Sequence, residues 1–241
     1  MAVYGIADLH LAKDIDKPMD VFSSYWDHYM ERISENWKAK VRPEDTVLIP
    51  GDVSWATYLD EIDKDFSYIE DLPGKKIISR GNHDYWWTTI KKMEKFTADR
   101  GFNSITFLQN HTMQVEDMIV GATRGWLIPG DREFTEGDIK IYEREIIRLG
   151  LCIKDMEEKD PGHKMKRVIM IHYPPISPTN GNNGFTAKLL EGEVDLCLYG
   201  HLHGKGHKVA REGVVNGTLY RCISSDFLGF DPLLISDLTD R

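Results

Sequence analysis

Asp8, His10, Asp52, Asn82, His83, Asp84, His172, His201 and His203 are the side chains of this sequence whose types and spacing could do chemistry. They fall in five short clusters: Asp8-Leu9-His10, Gly51-Asp52, Gly81-Asn82-His83-Asp84, the lone His172, and Gly200-His201-Leu202-His203-Gly204. Each follows an apolar run that reads as a buried strand, and open α/β sheets place ligands at the carboxyl ends of their strands. With His83 and Asp84 set aside, the clusters hold two carboxylates, one amide oxygen and four imidazoles. That mixture is too rich in nitrogen for magnesium or calcium, which take oxygen shells. It suits manganese, iron or zinc. The donors are too many for one ion, so the economical reading is a dinuclear site with one bridging carboxylate. Such a pair lowers the pKa of bound water and clamps a phosphoryl group during in-line attack. His83 is then left to act as the acid that protonates the leaving oxygen, oriented by a hydrogen bond to Asp84.

The elements that must position these clusters can be read from hydrophobic periodicity. Residues 3–7, 46–50, 76–79, 167–171 and 195–199 are short apolar runs of strand type. On an extended backbone after the first of them, Asp8 and His10 would point to the same side. Between strands lie helical stripes. One starts near Lys17-Pro18 and runs through Val21, Phe22, Tyr25, Trp26, Tyr29, Met30, Ile33 and Trp37. A second is marked by Leu59, Ile62, Phe66 and Ile69, and a third covers about 86–100. Alternating strands and helices predict parallel pairing with helices packed on the sheet. After Gly101 the pattern changes to short strands joined by tight turns, at 104–108, 113–115 and 118–122. Residues 127–163 read as an excursion holding a loop and a charged helix with Ile139, Tyr142, Ile146, Leu149 and Ile153 as its stripe. A loop shaped by Pro174, Pro175 and Pro178 leads to a short helix over 185–190, and the rest is strand-rich. Two sheets packed face to face, with helices outside, summarise the pattern as an α/β chain in one domain spanning 1–241.

Composition bounds the function classes. The chain has 241 residues, 41% of them hydrophobic, enough for one good core. A formal net charge of −9 argues against a binder of long duplex nucleic acid, which shows a basic face. Three scattered cysteines, Cys152, Cys197 and Cys222, form no disulfide framework and fit a reducing compartment. The N-terminus has no basic stretch before a long apolar run, and no segment is long and apolar enough to span a bilayer. The expectation is a soluble cytoplasmic protein acting on a small phosphoester, with no membrane partner; its oligomeric state is not encoded in these features.

Together the five clusters resemble the calcineurin-like metallophosphoesterase superfamily, whose pattern is D-x-H, G-D, G-N-H-[DE], a lone H, then G-H-x-H. All occur here in order between Asp8 and Gly204. The resemblance implies a four-layer α/β/β/α sandwich of two mixed sheets and a dinuclear metal-dependent phosphoesterase. One ion would take Asp8, His10, Asp52 and His203, and the second Asp52, Asn82, His172 and His201, with Asp52 as bridge. A hydroxide held between them would attack phosphorus in line, assisted by His83. Many relatives carry a further acidic residue after G-D, where this chain has Val53-Ser54-Trp55. The start Asp8-Leu9-His10-Leu11 is similar to that of the UDP-diacylglucosamine hydrolases, but those carry arginine in place of His83. Two other roles stay open on this fold: a nucleotide or cyclic-nucleotide phosphodiesterase, and a non-catalytic metal-binding scaffold.

Other residues have plainer readings. His28, His111, His163 and His207 are expected to be solvated or satisfied histidines. Arg80 and Arg124 suit a phosphate in geometry, yet structural ion pairing is the commoner role. Trp86, Trp87 and Trp126 fit core packing better than a substrate cleft. The Glu and Lys positions from 136 to 166 read as a solvated helix face.

Overall fold

The computed structural model describes residues 1–13, 15, 17, 19–21 and 23–238. Strand β1 (Val3–Gly5) opens the chain, and the first α-helix, α1 (Tyr29–Lys40), follows two 3-10 turns at Met19–Val21 and Ser24–Trp26. The helix expected from Lys17-Pro18 therefore starts about three turns late. His28, in the left-handed region at φ 53°, breaks the right-handed path just before Tyr29. Pro18 and Phe22, placed in that helix by the sequence reading, lie outside the described residues.

Next come β2 (Thr46–Pro50), α2 (Asp63–Glu70), β3 (Lys75–Ser79), α3 (Ile90–Arg100) and β4 (Ile105–Phe107). Helix α3 begins at Ile90, not at Trp86, because Thr89 caps it: its side chain accepts the Lys92 N–H. The second half contributes β5 (Thr112–Val115), β6 (Met118–Thr123), α4 (Ile139–Lys159), β7 (Lys166–Ile171), α5 (Gly184–Glu191), β8 (Leu196–Tyr199), β9 (Gly213–Val215), β10 (Thr218–Cys222) and β11 (Leu233–Leu234). One sheet runs β11-β1-β2-β3-β4 and the other β5-β6-β7-β8-β10-β9. Both are mixed, with β11, β5 and β9 pairing antiparallel at edges of otherwise parallel sheets.

Strand alternation builds the layers. On β2, Val47 and Ile49 face the helices, packing with Ile33, Trp37 and Phe66, while Leu48 points the other way. On β7, Val168 and Met170 meet Leu48 and Ile77 between the sheets, while Ile169 and Ile171 face Leu149, Cys152 and Phe185 of the outer helices. Three apolar interfaces thus separate four layers, helices–sheet–sheet–helices, as expected.

The segment read as an excursion holds α4, which packs on the second sheet as part of its outer layer. Its buried stripe is Leu149, Cys152, Ile153 and Met156, shifted from the expected one, and Ile139 is exposed. Glu145, on the face expected to be solvated, is fully buried. Arg148 holds it at 2.6 Å and Arg124 at 3.5 Å. All three cysteines are buried and free. No helix among the described residues is long and apolar enough to cross a membrane.

Candidate metal centre

The loops after β1, β2, β3, β7 and β8 meet at one end of the two sheets and bring the candidate ligands together. Local backbone geometry achieves this at some conformational cost. Asp8, His10, Asp52 and His201 all adopt positive φ, at 59°, 45°, 52° and 73°. Residues other than glycine hold that region when the surroundings over-determine it, and such strain clusters at functional sites. Asp8 and His10 therefore do not sit on an extended backbone, as the alternation argument supposed. Two glycines are required by close approach. A Cβ at Gly81 would collide with the Asp52 carboxylate, and one at Gly200 would lie 2.5 Å from Asp8 Oδ2.

The donor atoms face inward. His10 Nε2 lies 3.1 Å from His203 Nε2 and 3.9 Å from Asp52 Oδ2. His172 Nε2 lies 3.4 Å from the same Asp52 oxygen, so Asp52 Oδ2 sits between His10 and His172. Asn82 Oδ1 is approached by His172 Nε2 at 2.7 Å and His201 Nδ1 at 2.8 Å. Asp8 Oδ1 is 3.7 Å from His172 Nδ1 and 4.0 Å from His203 Nε2. Two triads among the described residues are compact enough to hold an ion, Asp8–His10–His203 and Asp8–Asp52–His172.

Polar atoms left without partners fit the same interpretation. Asp8 Oδ1 and His10 Nδ1 are buried with no hydrogen-bond partner among the described residues. A buried carboxylate oxygen without a donor is costly in protein alone, and a cation would satisfy it. The mixed carboxylate, amide and imidazole set suits a transition metal.

Opposing fields tune these groups. Burial raises the Asp8 carboxyl to about 6, against the pull of His203 and His172. Burial holds His10 down to about 3, and it does the same to His201 with His172 adding to the effect. For His172 burial also favours the neutral ring, but the Asp52 and Asp8 carboxylates outweigh it and raise the group to about 9. Asp52 is the reverse case: burial disfavours its charge, and His172 and His10 hold it below the usual carboxylate range.

Second partners fix several rings. His172 Nδ1 is 3.0 Å from the Pro50 carbonyl, which accepts its N–H and leaves Nε2 for the centre. His203 Nδ1 meets Asp226 Oδ1 at 2.8 Å. Asp226 also accepts the Gly204 N–H at 3.1 Å and lies 3.0 Å from His207 Nε2. The sequence reading missed Asp226. It lies four residues beyond the end of β10, and the strand-end rule, extended past that strand, would have found it. Trp55 was missed too: it stacks on His10 with ring centres 4.8 Å apart and meets His83 at 4.5 Å.

His83 sits beside these rings, half-buried, with burial holding its pKa below the ordinary histidine value. The expected hydrogen bond to Asp84 is not formed, and His83 Nδ1 has no partner among the described residues. Asp84 is fully buried and accepts the N–H groups of Asp52, Val53 and Gly81, at 2.9, 2.9 and 2.7 Å, and the Trp86 indole N–H at 3.1 Å. Its carboxylate is saturated by these donors. It splices the loop after β2 to the loop after β3, and Asp52 and Asn82 inherit their placement from that splice.

Family comparison agrees with this geometry. The profile of the calcineurin-like phosphoesterases matches residues 1–205, and the chain belongs to that family. Among solved structures, it is similar to a protein of unknown function from Aquifex aeolicus, with a TM-score of 0.51 and 15% identity, covering 98% of this chain and 97% of that one. A second solved structure aligns with a TM-score of 0.51 and 12% identity, over 90% of this chain and 88% of its own. At such identities the likeness concerns the fold. No curated protein sequence gives a significant match.

Proposed function

We propose that this chain hydrolyses a small phosphate mono- or diester with two transition-metal ions, manganese, iron or zinc. The observation that supports this most is the facing of ring nitrogens and carboxylate oxygens around Asp52 Oδ2, with Asp8 Oδ1 left without a donor. Asp8, His10, Asp52 and His203 would hold one ion, and Asp52, Asn82, His172 and His201 the other. A bound pair supplies an activated water and neutralises charge on the phosphoryl oxygens. The chain's own residues do the rest. Pro50 and Asp226 present one nitrogen each of His172 and His203 to the centre. Trp55 holds His10 and His83 in register by ring packing. His83, half-buried beside His10 and Trp55, delivers a proton to the departing alcohol oxygen.

The three buried, unpaired cysteines favour work in a reducing compartment such as the cytoplasm. The test is turnover of aryl phosphate mono- and diesters by protein of measured metal content, abolished by a chelator. Absence of turnover from protein carrying two ions per chain contradicts the reading and favours a scaffold. A parallel panel of nucleotides and cyclic nucleotides separates the nucleotide-directed diesterase from a general phosphoesterase.

A further inference from the structure

We propose that the alcohol half of the substrate is a bulky apolar or aromatic group, lodged in a cavity walled by Trp126, Tyr173, Ile176, Leu202 and Val209. The inference rests on the phosphoesterase reading and deepens it. The cavity has a volume of about 620 Å³ and counts His201 and His203 among its lining residues. That size is typical of a small-molecule site. It therefore starts at the candidate metal centre, where a phosphoryl group would sit, and leads away from it.

Leu202 carries the connection, because it stands between the two histidines and contributes to the same wall. Tyr173 follows His172 and packs on the His201 ring, with centres 4.2 Å apart. Trp126 continues the aromatic surface, 5.1 Å from Tyr173. Its indole N–H donates to Asp138 at 2.9 Å, and the Arg124 guanidinium lies over the ring at 4.5 Å. The ring is thus anchored at its edge and on a face, as a preformed wall should be. Tyr173 and Ile176 are buried beneath, whereas of the polar lining residues Arg132, Glu133 and Thr179 are exposed and Asp131 and Ser177 half-buried.

A polyhydroxyl alcohol would bury its oxygens against Trp126, Ile176 and Leu202 with few partners, which is costly. An apolar or aromatic body gains from the same walls. The cavity beside Trp55 does not compete for such a group, since Lys17, Asp60, Glu61, Asp63 and Lys64 give it mostly charged walls.

Two phosphonates, methylphosphonate and naphthylmethylphosphonate, test this by calorimetric titration into manganese-loaded protein. The naphthyl compound is expected to bind more tightly by about tenfold or more. Val209→Asp, at an exposed position that tolerates the change in folding, and Trp126→Ala should both collapse that ratio toward one. Equal affinities in the parent protein, failure of both compounds to bind, or a ratio untouched by Val209→Asp would overturn the proposal. Turnover of the matching phosphate esters separates the two readings. Discriminating binding without any hydrolysis removes the hydrolase and keeps the cavity assignment. Hydrolysis with equal kcat/KM for methyl and naphthyl phosphate does the opposite.

Discussion

Replacing Asp226 should weaken one metal position and spare the other. Its side chain is almost fully buried and is tied to His203 Nδ1 at 2.8 Å and to the Gly204 N–H at 3.1 Å. Burial works against its charge, but His203 and His207 outweigh that and hold it ionised below the ordinary carboxylate range. Asp226→Asn keeps an acceptor for the His203 ring but makes it neutral, and charge-assisted hydrogen bonds are about twice as strong as neutral ones. With its oxygen kept toward His203, the amide NH2 takes the place of Oδ2, which faces both the Gly204 N–H and His207 Nε2, so the Gly204 hydrogen bond is lost. Asp226→Ala removes the orienting group altogether. Loss of such an outer partner usually costs 10–100-fold in metal affinity, about 1.4–2.8 kcal/mol. The asparagine variant should fall near the lower figure and the alanine variant near the upper. Manganese titration by calorimetry, with thermal unfolding as the control for folding, reads both. Because the proposed ligand assignment gives His203 to one position only, the expected pattern is one weakened and one normal ion per chain. Affinities within a factor of about two of the parent for both variants would refute the reasoning.

The remaining predictions are narrower. His83→Ala should retain both ions and lose about 10²–10⁴-fold in kcat, measured on an aryl phosphate; an unchanged rate would remove His83 from proton transfer. Asp84→Ala strands three backbone N–H groups and the Trp86 indole, and should destabilise the fold by about 3 kcal/mol or more in urea unfolding. A small loss there would contradict its role as the splice between loops. Asp155 feels burial, but the hydrogen bonds from Lys159 and Thr112 outweigh it and keep its pKa below the ordinary aspartate value of 3.8. Its contribution to stability is therefore present above that value and fades as pH falls through the depressed one. Asp155→Asn should lower stability at neutral pH and flatten the acid dependence below 3.8; parallel curves for parent and variant would exclude the effect.

The strand ends were legible in the sequence because each strand is a short apolar run cut off by a polar or glycine residue. That rule alone collects Asp8, Asp52, Asn82, His172, His201 and His203 at one end of the fold. Helix starts were less legible. The stripe from Val21 to Trp37 continues through 3-10 turns, and nothing in hydrophobic periodicity marks the left-handed turn at His28. Adjacency misled the reading of Asp84: it neighbours His83 in sequence, yet its carboxylate turns back to the backbone of the β2 and β3 loops. Glu145 lies on a charged helix face by periodicity, and periodicity does not show that Arg148 from its own helix and Arg124 from just beyond β6 pair with it where it is buried. Asp226 escaped because its partner, His203, is 23 residues away and reaches it only through the parallel pairing of β8 and β10.

The central claim is that the gathered side chains hold a pair of ions. Anomalous diffraction from crystals grown with manganese measures this directly. Two peaks should appear, one within bonding distance of Asp8, His10 and His203, the other of Asn82, His172 and His201, with Asp52 touching both. A single peak, none at all, or ions held by other groups would contradict it.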